Sequence, residues 1–405
     1  MRVIHRNRKA SIAFIFVTLA IDAIGLGIIL PVLPDVVRKF VANEASVAQI
    51  YGLFIAVYAL LQFLSSPLLG RISDRYGRRP ILLLSLLGAG IDYIFMAFAP
   101  NLPLLFVGRV IAGVSGASYT VASAYIADIS DDSNRSKNFG VIGAGFGIGF
   151  ILGPAIGGLL ASHGTIYPFL AAAAFNLLNF CFGLFVLPES LPYERRRAFD
   201  IKVLNPLNSL SSLSRVPAVR TLIAAFILMQ LAGQTHPAIW TLFTQHRFGW
   251  GPKEVGISFA VVGLLSALSQ GFLTGPLVKR FGERIVMRVG CIGEMLSFAA
   301  FGLVTTGTML YVVLLISSMF WAAHPALQSL ISREIPPDEQ GELQGALMSL
   351  TSLTAIATPL MMTSLFAATS DKTAGLYLPG SPYLLGACFF LFALILIRRW
   401  EIRQQ

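Results

Sequence analysis

Twelve stretches of about 20 predominantly apolar residues dictate what this chain can fold into, because each is long enough to cross a hydrocarbon core of about 30 Å as a helix. They begin near Ser11, Gln49, Pro80, Leu102, Phe139 and Ile166, and again near Thr221, Val255, Ile285, Thr308, Leu343 and Pro379. In lipid a backbone has to satisfy its own hydrogen bonds, so apolar runs of this length read as helices. Charged residues make up 12% of the chain, about half of the roughly 25% usual in soluble domains. The net charge of +10 does not point to nucleic acid, since the basic residues sit in short loops between apolar runs and form no soluble basic face. Cys181, Cys291 and Cys388 lie inside apolar segments, without the spacing of a disulfide framework or a zinc site. The first apolar run follows the basic leader MRVIHRNRK and lacks a small-residue cleavage site, so a retained first helix is expected.

An even number of spans puts both termini on one side of the membrane. With that side taken as the cytoplasm, 24 of the 30 Lys and Arg fall in inside segments, as the positive-inside rule requires. The longest interruption is a charged, Pro-punctuated linker at 188–220, which divides the chain into a first six-helix bundle at 1–187 and a second at 221–405. The halves echo each other at an interval of 205 residues: GRISDRYGRR from Gly70 answers GPLVKRFGER from Gly275, and Pro154 answers Pro359. The predicted fold is therefore an all-α membrane protein of two pseudo-symmetric bundles, an arrangement suited to alternating access.

Four strongly ionisable residues interrupt the spans: Asp22, Asp92, Arg109 and Glu294. A charge at mid-bilayer costs about 2.5–3.5 kcal/mol even on insertion scales, so each is expected to face the bundle interior or a wet cavity. An acid there can take up and release a proton as its surroundings open to either side. A carrier driven by protons needs that chemistry, whereas a static ion pair, such as Asp92 with Arg109, would only hold helices in register. A scaffold or sensor has no reason to keep such acids. Gln62, Gln234 and Gln270 are mid-helix polar groups suited to orienting a ligand in a mostly apolar pocket. His236 and His324 each precede a proline; either titrates near neutral pH, or stays neutral and bonds a carbonyl freed by the kink.

GRISDRYGRRP, between the second and third spans, is the most specific string in the chain. Gly70 permits close helix approach, Asp74 suits the positive end of a helix, and Arg75, Arg78 and Arg79 offer planar donors to carboxylates, Asp128 among them. The string resembles the signature loop of the major facilitator superfamily, and the likeness runs over nearly the whole chain. GAGFGIGFILGPAIGG in the fifth span, with Gly153 and Pro154, is similar to the glycine-proline motif of its drug/proton antiporters. IDAIGLGIILPVLP, GAGIDY and FTQHRFGW resemble segments of the bacterial tetracycline/proton antiporters.

That resemblance implies the major facilitator fold and an inner-membrane exporter, expected to be monomeric, that exchanges a tetracycline chelated to a divalent metal for a proton. It implies no permanently bound cofactor and no partner beyond the drug and the lipid bilayer. Asp22, Asp92, Arg78 and Arg109 match the family's essential charges, and Gln62, Gln234 and Gln270 match polar positions around its drug. Ser266 and His236 join them as candidate substrate contacts. Glu294 stands where the family usually has Asp, and Ser266 where many members have a histidine. A carrier of the same fold for another drug or a metabolite is the alternative. Gly113-Val-Ser115-Gly116 formally matches an intramembrane protease nucleophile, but no base is shown beside it. The glycines of 143–149 follow no strand, so they are not a dinucleotide loop.

Overall fold

The computed structural model describes residues 2–116, 118–131, 135–196, 217–336, 339–371, 375 and 377–403, so most of the linker at 188–220 lies outside the described residues. Every span expected from the sequence is a helix: α1 Ile12–Ile29, α2 Glu44–Tyr76, α3 Arg78–Phe98, α4 Leu102–Ile129, α5 Asn138–Ala161, α6 Ile166–Val186, α7 Val219–Phe248, α8 Pro252–Phe281, α9 Glu283–Leu303, α10 Gly307–Arg333, α11 Glu342–Thr369 and α12 Ser381–Ile402.

Several spans are interrupted. α7 breaks at Gln234 and α10 at 319–322. Each break falls about one turn ahead of a proline, Pro237 and Pro325, whose ring clashes with the carbonyl four residues earlier. α4 breaks at Gly116, which lies 205 residues before Trp321 in the α10 break, so the internal repeat extends to the interruptions. α8 contains a π turn at Ser269–Leu273.

The chain forms two compact units, one of residues 1–40, 57–206 and 251–263, the other of 41–56, 207–250 and 264–405. In the first, α1 lies along α5 on a stripe of glycines spaced four apart. A methyl group on Gly149, Gly153 or Gly157 would lie 2.7, 2.6 or 2.5 Å from the carbonyl oxygens of Ala20, Ile24 and Ile28. No side chain fits there, and the backbones touch because none is present. Phe14, Ile15 and Leu19 of α1 continue this packing into a core with Leu82, Leu86 and Tyr125.

In the second unit, α9 packs on α12, and the close spots are again glycines: Gly302 against Leu384 and Gly386 against Phe298. Its buried centre is aromatic, with Trp240, Phe243, Phe298, Phe301, Tyr383 and Phe390 all nearly inaccessible. The first part of α2 belongs to this unit, where a methyl group on Gly52 would lie 2.9 Å from the Pro359 carbonyl oxygen in α11.

Candidate functional site

The glycine ladder fixes α1 against α5 and thereby sets the depth of Asp22. Around it, α2, α3 and α4 bring Tyr58, Gln62, Asp92, Tyr93, Arg109 and Ser118 to one cavity of about 30 Å³. Asp22 Oδ2 accepts from the Ser118 hydroxyl at 2.7 Å. Asp92, wholly buried, accepts from Arg109 Nη2 at 3.2 Å, and the Arg109 guanidinium lies 5.8 Å from the centre of the Tyr58 ring. Gly108 leaves space for that carboxylate, since a methyl group there would sit 2.7 Å from Asp92 Oδ1. Gln62 Nε2 donates to the Gly116 carbonyl at 3.0 Å, at the α4 break.

The cavity thus holds two acids and one base. Asp92 shares its charge with Arg109, whereas Asp22 accepts from a hydroxyl. Among the described residues no cation is in direct contact with Asp22, and the space beside it is enough for a water or two.

The second unit keeps its polar groups apart. Glu294 in α9 is 3% exposed and accepts from Ser317 Oγ of α10 at 3.1 Å, while Ser317 Oγ accepts from Trp321 Nε1 at 3.1 Å. Glu294 makes no ion pair among the described residues. Gln270, in the π turn of α8, donates to Ser266 Oγ at 2.8 Å. Gln234 sits in the α7 break. His236 is not bonded to a freed carbonyl: its ring lies among Trp240, Phe298, Phe301 and Tyr383, with centroids 4.9–5.4 Å apart, and neither nitrogen has a hydrogen-bond partner among the described residues.

The loop string forms its own charged cluster. Arg78, the first residue of α3, reaches Asp74 Oδ1 at 2.6 Å, Asp128 Oδ2 at 3.2 Å and Ser73 Oγ at 2.6 Å, with the Gly70 carbonyl at 3.5 Å. Arg75 stays outside it, exposed and stacked on Tyr76.

The family profile described as Major Facilitator Superfamily matches residues 15–359, and again 231–404. The chain belongs to the Major Facilitator Superfamily. Among its relatives in the superfamily are the class C tetracycline resistance protein of Escherichia coli, 43% identical over 94% of this chain and 95% of that protein, and the class E protein of Escherichia coli, 40% identical over 97% and 95%. The solved structure of a bacterial homologue of the human lysosomal transporter Spinster, inward-facing and occupied, shares the fold with a TM-score of 0.77 at 16% identity, over 98% of this chain and 97% of that one. This superfamily member is a transporter and not an enzyme, and it is a multi-pass protein of a bacterial inner membrane.

One residue of this transporter's charged cluster escaped sequence reasoning. Glu189, just past α6, accepts through Oε1 from the backbone N–H of Arg78 at 2.8 Å and through Oε2 from that of Arg79 at 3.3 Å. It caps α3 from 111 residues away. Gly77, at φ 105°, turns the chain so that those N–H groups point at it. The only sequence signal was an acid in LPES, immediately after a span. Ser118 and Ser317, the hydroxyls that donate to Asp22 and Glu294, gave no signal among the many small residues of their helices.

Proposed function

We propose that this protein exports a small organic drug in exchange for protons by alternating access, working as a monomer with both termini in the cytoplasm. The observation that carries the reading is the cavity that joins Asp22, Gln62, Asp92 and Arg109. Burying that many polar groups in lipid is costly and serves no packing purpose. Arg109 holds the Asp92 charge in place, and Asp22, which accepts from Ser118, exchanges the proton with the water its cavity admits.

A drug-sized ligand needs roughly 300 Å³ or more, about ten times this space, so the cluster handles the proton while closed and meets the drug only after the helices part. Relatives at 40% identity and above are named for tetracycline resistance, which makes a tetracycline, carried with a divalent metal as a cationic chelate, the first substrate to test. A cation favours ionised acids, so drug binding and proton release are coupled through shared charge. Glu294, near mid-span in α9, serves as the acid of the second unit.

Inverted vesicles under an imposed pH gradient test this. Asp22→Asn is expected to insert normally and to lose drug-driven proton exchange down to background. Glu294→Gln is expected to abolish most uphill uptake, and Ser266→Ala to lower it only modestly, because a neutral hydroxyl contributes about 1 kcal/mol at most. Full exchange by Asp22→Asn would remove the proton assignment. A resistance profile that spares tetracyclines but covers unrelated drugs would overturn the substrate while leaving the coupling intact.

A further inference from the structure

At the start of α9 and the end of α12 lies a second cavity, about 430 Å³ in volume, unconnected with the acid cluster. Its α9 wall is Arg284, Arg288 and Ile292, spaced four apart on one face, and its α12 wall includes Leu394, Arg398 and Glu401. The two walls are graded along the membrane normal. Arg284 is in the first turn of α9 and Arg398 and Glu401 in the last turns of α12, whereas Ile292 lies eight residues, roughly 12 Å, deeper.

Three guanidinium groups face one carboxylate there. Arg288 Nη2 pairs with Glu401 Oε1 at 2.8 Å, and the Arg284 guanidinium lies 5.1 Å from the Trp400 ring centre, which steadies it without neutralising it. Arg398 is exposed and has no side-chain partner among the described residues. The cavity therefore carries a surplus of two positive charges at the interfacial end and an aliphatic wall at the deeper end. Ile292, on the wall, is 37% exposed, and Ile402, at the rim, is 63% exposed.

We propose that this groove binds one anionic phospholipid, its phosphodiester held by Arg284 and Arg398 and the first part of an acyl chain lying on Ile292 and Leu394. Planar guanidinium groups match phosphate oxygens in pairs. Basic pockets between helices on this face, the one the basic loops assign to the cytoplasm, recruit anionic headgroups. A soluble anion would satisfy the arginines and leave the aliphatic wall uncovered; a zwitterionic lipid would cover the wall and leave the charge surplus unmet. The proposal is independent of the transported substrate.

The test is lipid retention by the purified protein in detergent, read by native mass spectrometry with added phosphatidylglycerol, phosphatidylcholine or inorganic phosphate. Wild type is expected to retain phosphatidylglycerol over phosphatidylcholine. At about 1 kcal/mol for each interfacial arginine, Arg398→Gln should weaken retention about fivefold and Arg284→Gln with Arg398→Gln about twenty-fivefold. Lys279→Gln with Arg280→Gln, outside the groove, should change nothing. Equal retention of phosphatidylcholine, displacement of lipid by inorganic phosphate, or unchanged retention in the double variant would each overturn the proposal. If the double variant fails to fold, Arg398→Gln decides alone, because Arg398 is exposed and has no side-chain partner among the described residues.

Discussion

The loop after α2 and the loop after α8 stand 205 residues apart and share one geometry with opposite charge. Each turns through a glycine of positive φ, Gly77 at 105° and Gly282 at 79°. Each then begins a helix with a charged residue paired to the end of the next span. In the first loop the pair is Arg78 with Asp128, and in the second it is Glu283 with Arg333 at 2.8 Å. Both members of the pair are related by the same interval, so the repeat preserved the complementarity and not the sign.

The sign has a consequence for the helix that follows. A helix N-terminus is the positive end of its dipole, so Glu283 complements α9 while Arg78 opposes α3. The first loop therefore needs a negative charge from elsewhere, and Glu189 supplies it on the N–H groups of Arg78 and Arg79. The second loop has its acid built in. Burial differs too: the side chains of Arg78 and Asp128 are 9% and 22% exposed, whereas Arg333 is 70% exposed.

The largest effect expected from this contrast is that of Arg78→Ala. Removing the guanidinium leaves Asp74 and Asp128 uncompensated in a half-buried site and strips the donors from Ser73 and the Gly70 carbonyl. A destabilisation of roughly 2–3 kcal/mol is expected, the range for losing hydrogen bonds to charged groups. Thermal unfolding in detergent measures it, and transport in vesicles should slow more than drug binding weakens. Binding that falls in step with rate would place Arg78 at the drug site and not in a charged cluster that governs the rate of transport.

Glu189→Ala comes next, at about 1–2 kcal/mol, the scale of a lost cap with a favourable charge at a helix N-terminus. Glu189→Gln keeps an acceptor and loses the charge, so it should recover part of that. If Glu189→Gln were as stable as wild type, the dipole argument for why this loop needs an outside acid would fail, leaving hydrogen bonding as the whole effect.

How far the sequence discloses these features depends on whether a feature is local. The spans, the prolines, the glycines spaced four apart and the acids inside apolar runs are each visible within one helix, and the structure places all of them as helical features. That Asp22, Asp92 and Arg109 each face the interior was expected from the cost of a charge in lipid, but that these three meet Gln62 in one cavity was not, because it depends on how four helices pack. The Glu189 cap was hidden, because it depends on which two helix ends meet across 111 residues. The α10 break was half-visible: Pro325 signals it, yet where it sits also reflects Phe320 packed over Gly293 in α9. Nor does a hydropathy pattern reveal that the first part of α2 joins one compact unit and the rest the other, since one apolar run crosses the boundary between Ala56 and Val57.

The smallest effect, and the sharpest check on the contrast, belongs to Arg333→Ala. Its guanidinium is mostly in solvent, where an ion pair gains little Coulomb energy and is screened by salt, so exposed pairs contribute about 0–1 kcal/mol. Glu283, left behind, is not stranded: it still accepts from Ser329 Oγ at 2.7 Å and still faces the positive end of α9. A loss of at most about 0.5 kcal/mol is expected, vanishing at roughly 1 M salt, where the Debye length falls to about 3 Å. Thermal unfolding of wild type and variant at low and high salt gives both numbers. A loss as large as that of Arg78→Ala, and insensitive to salt, would mean that the second pair is as deeply held as the first; the difference in burial would then carry no energetic weight, and only the difference in sign would remain.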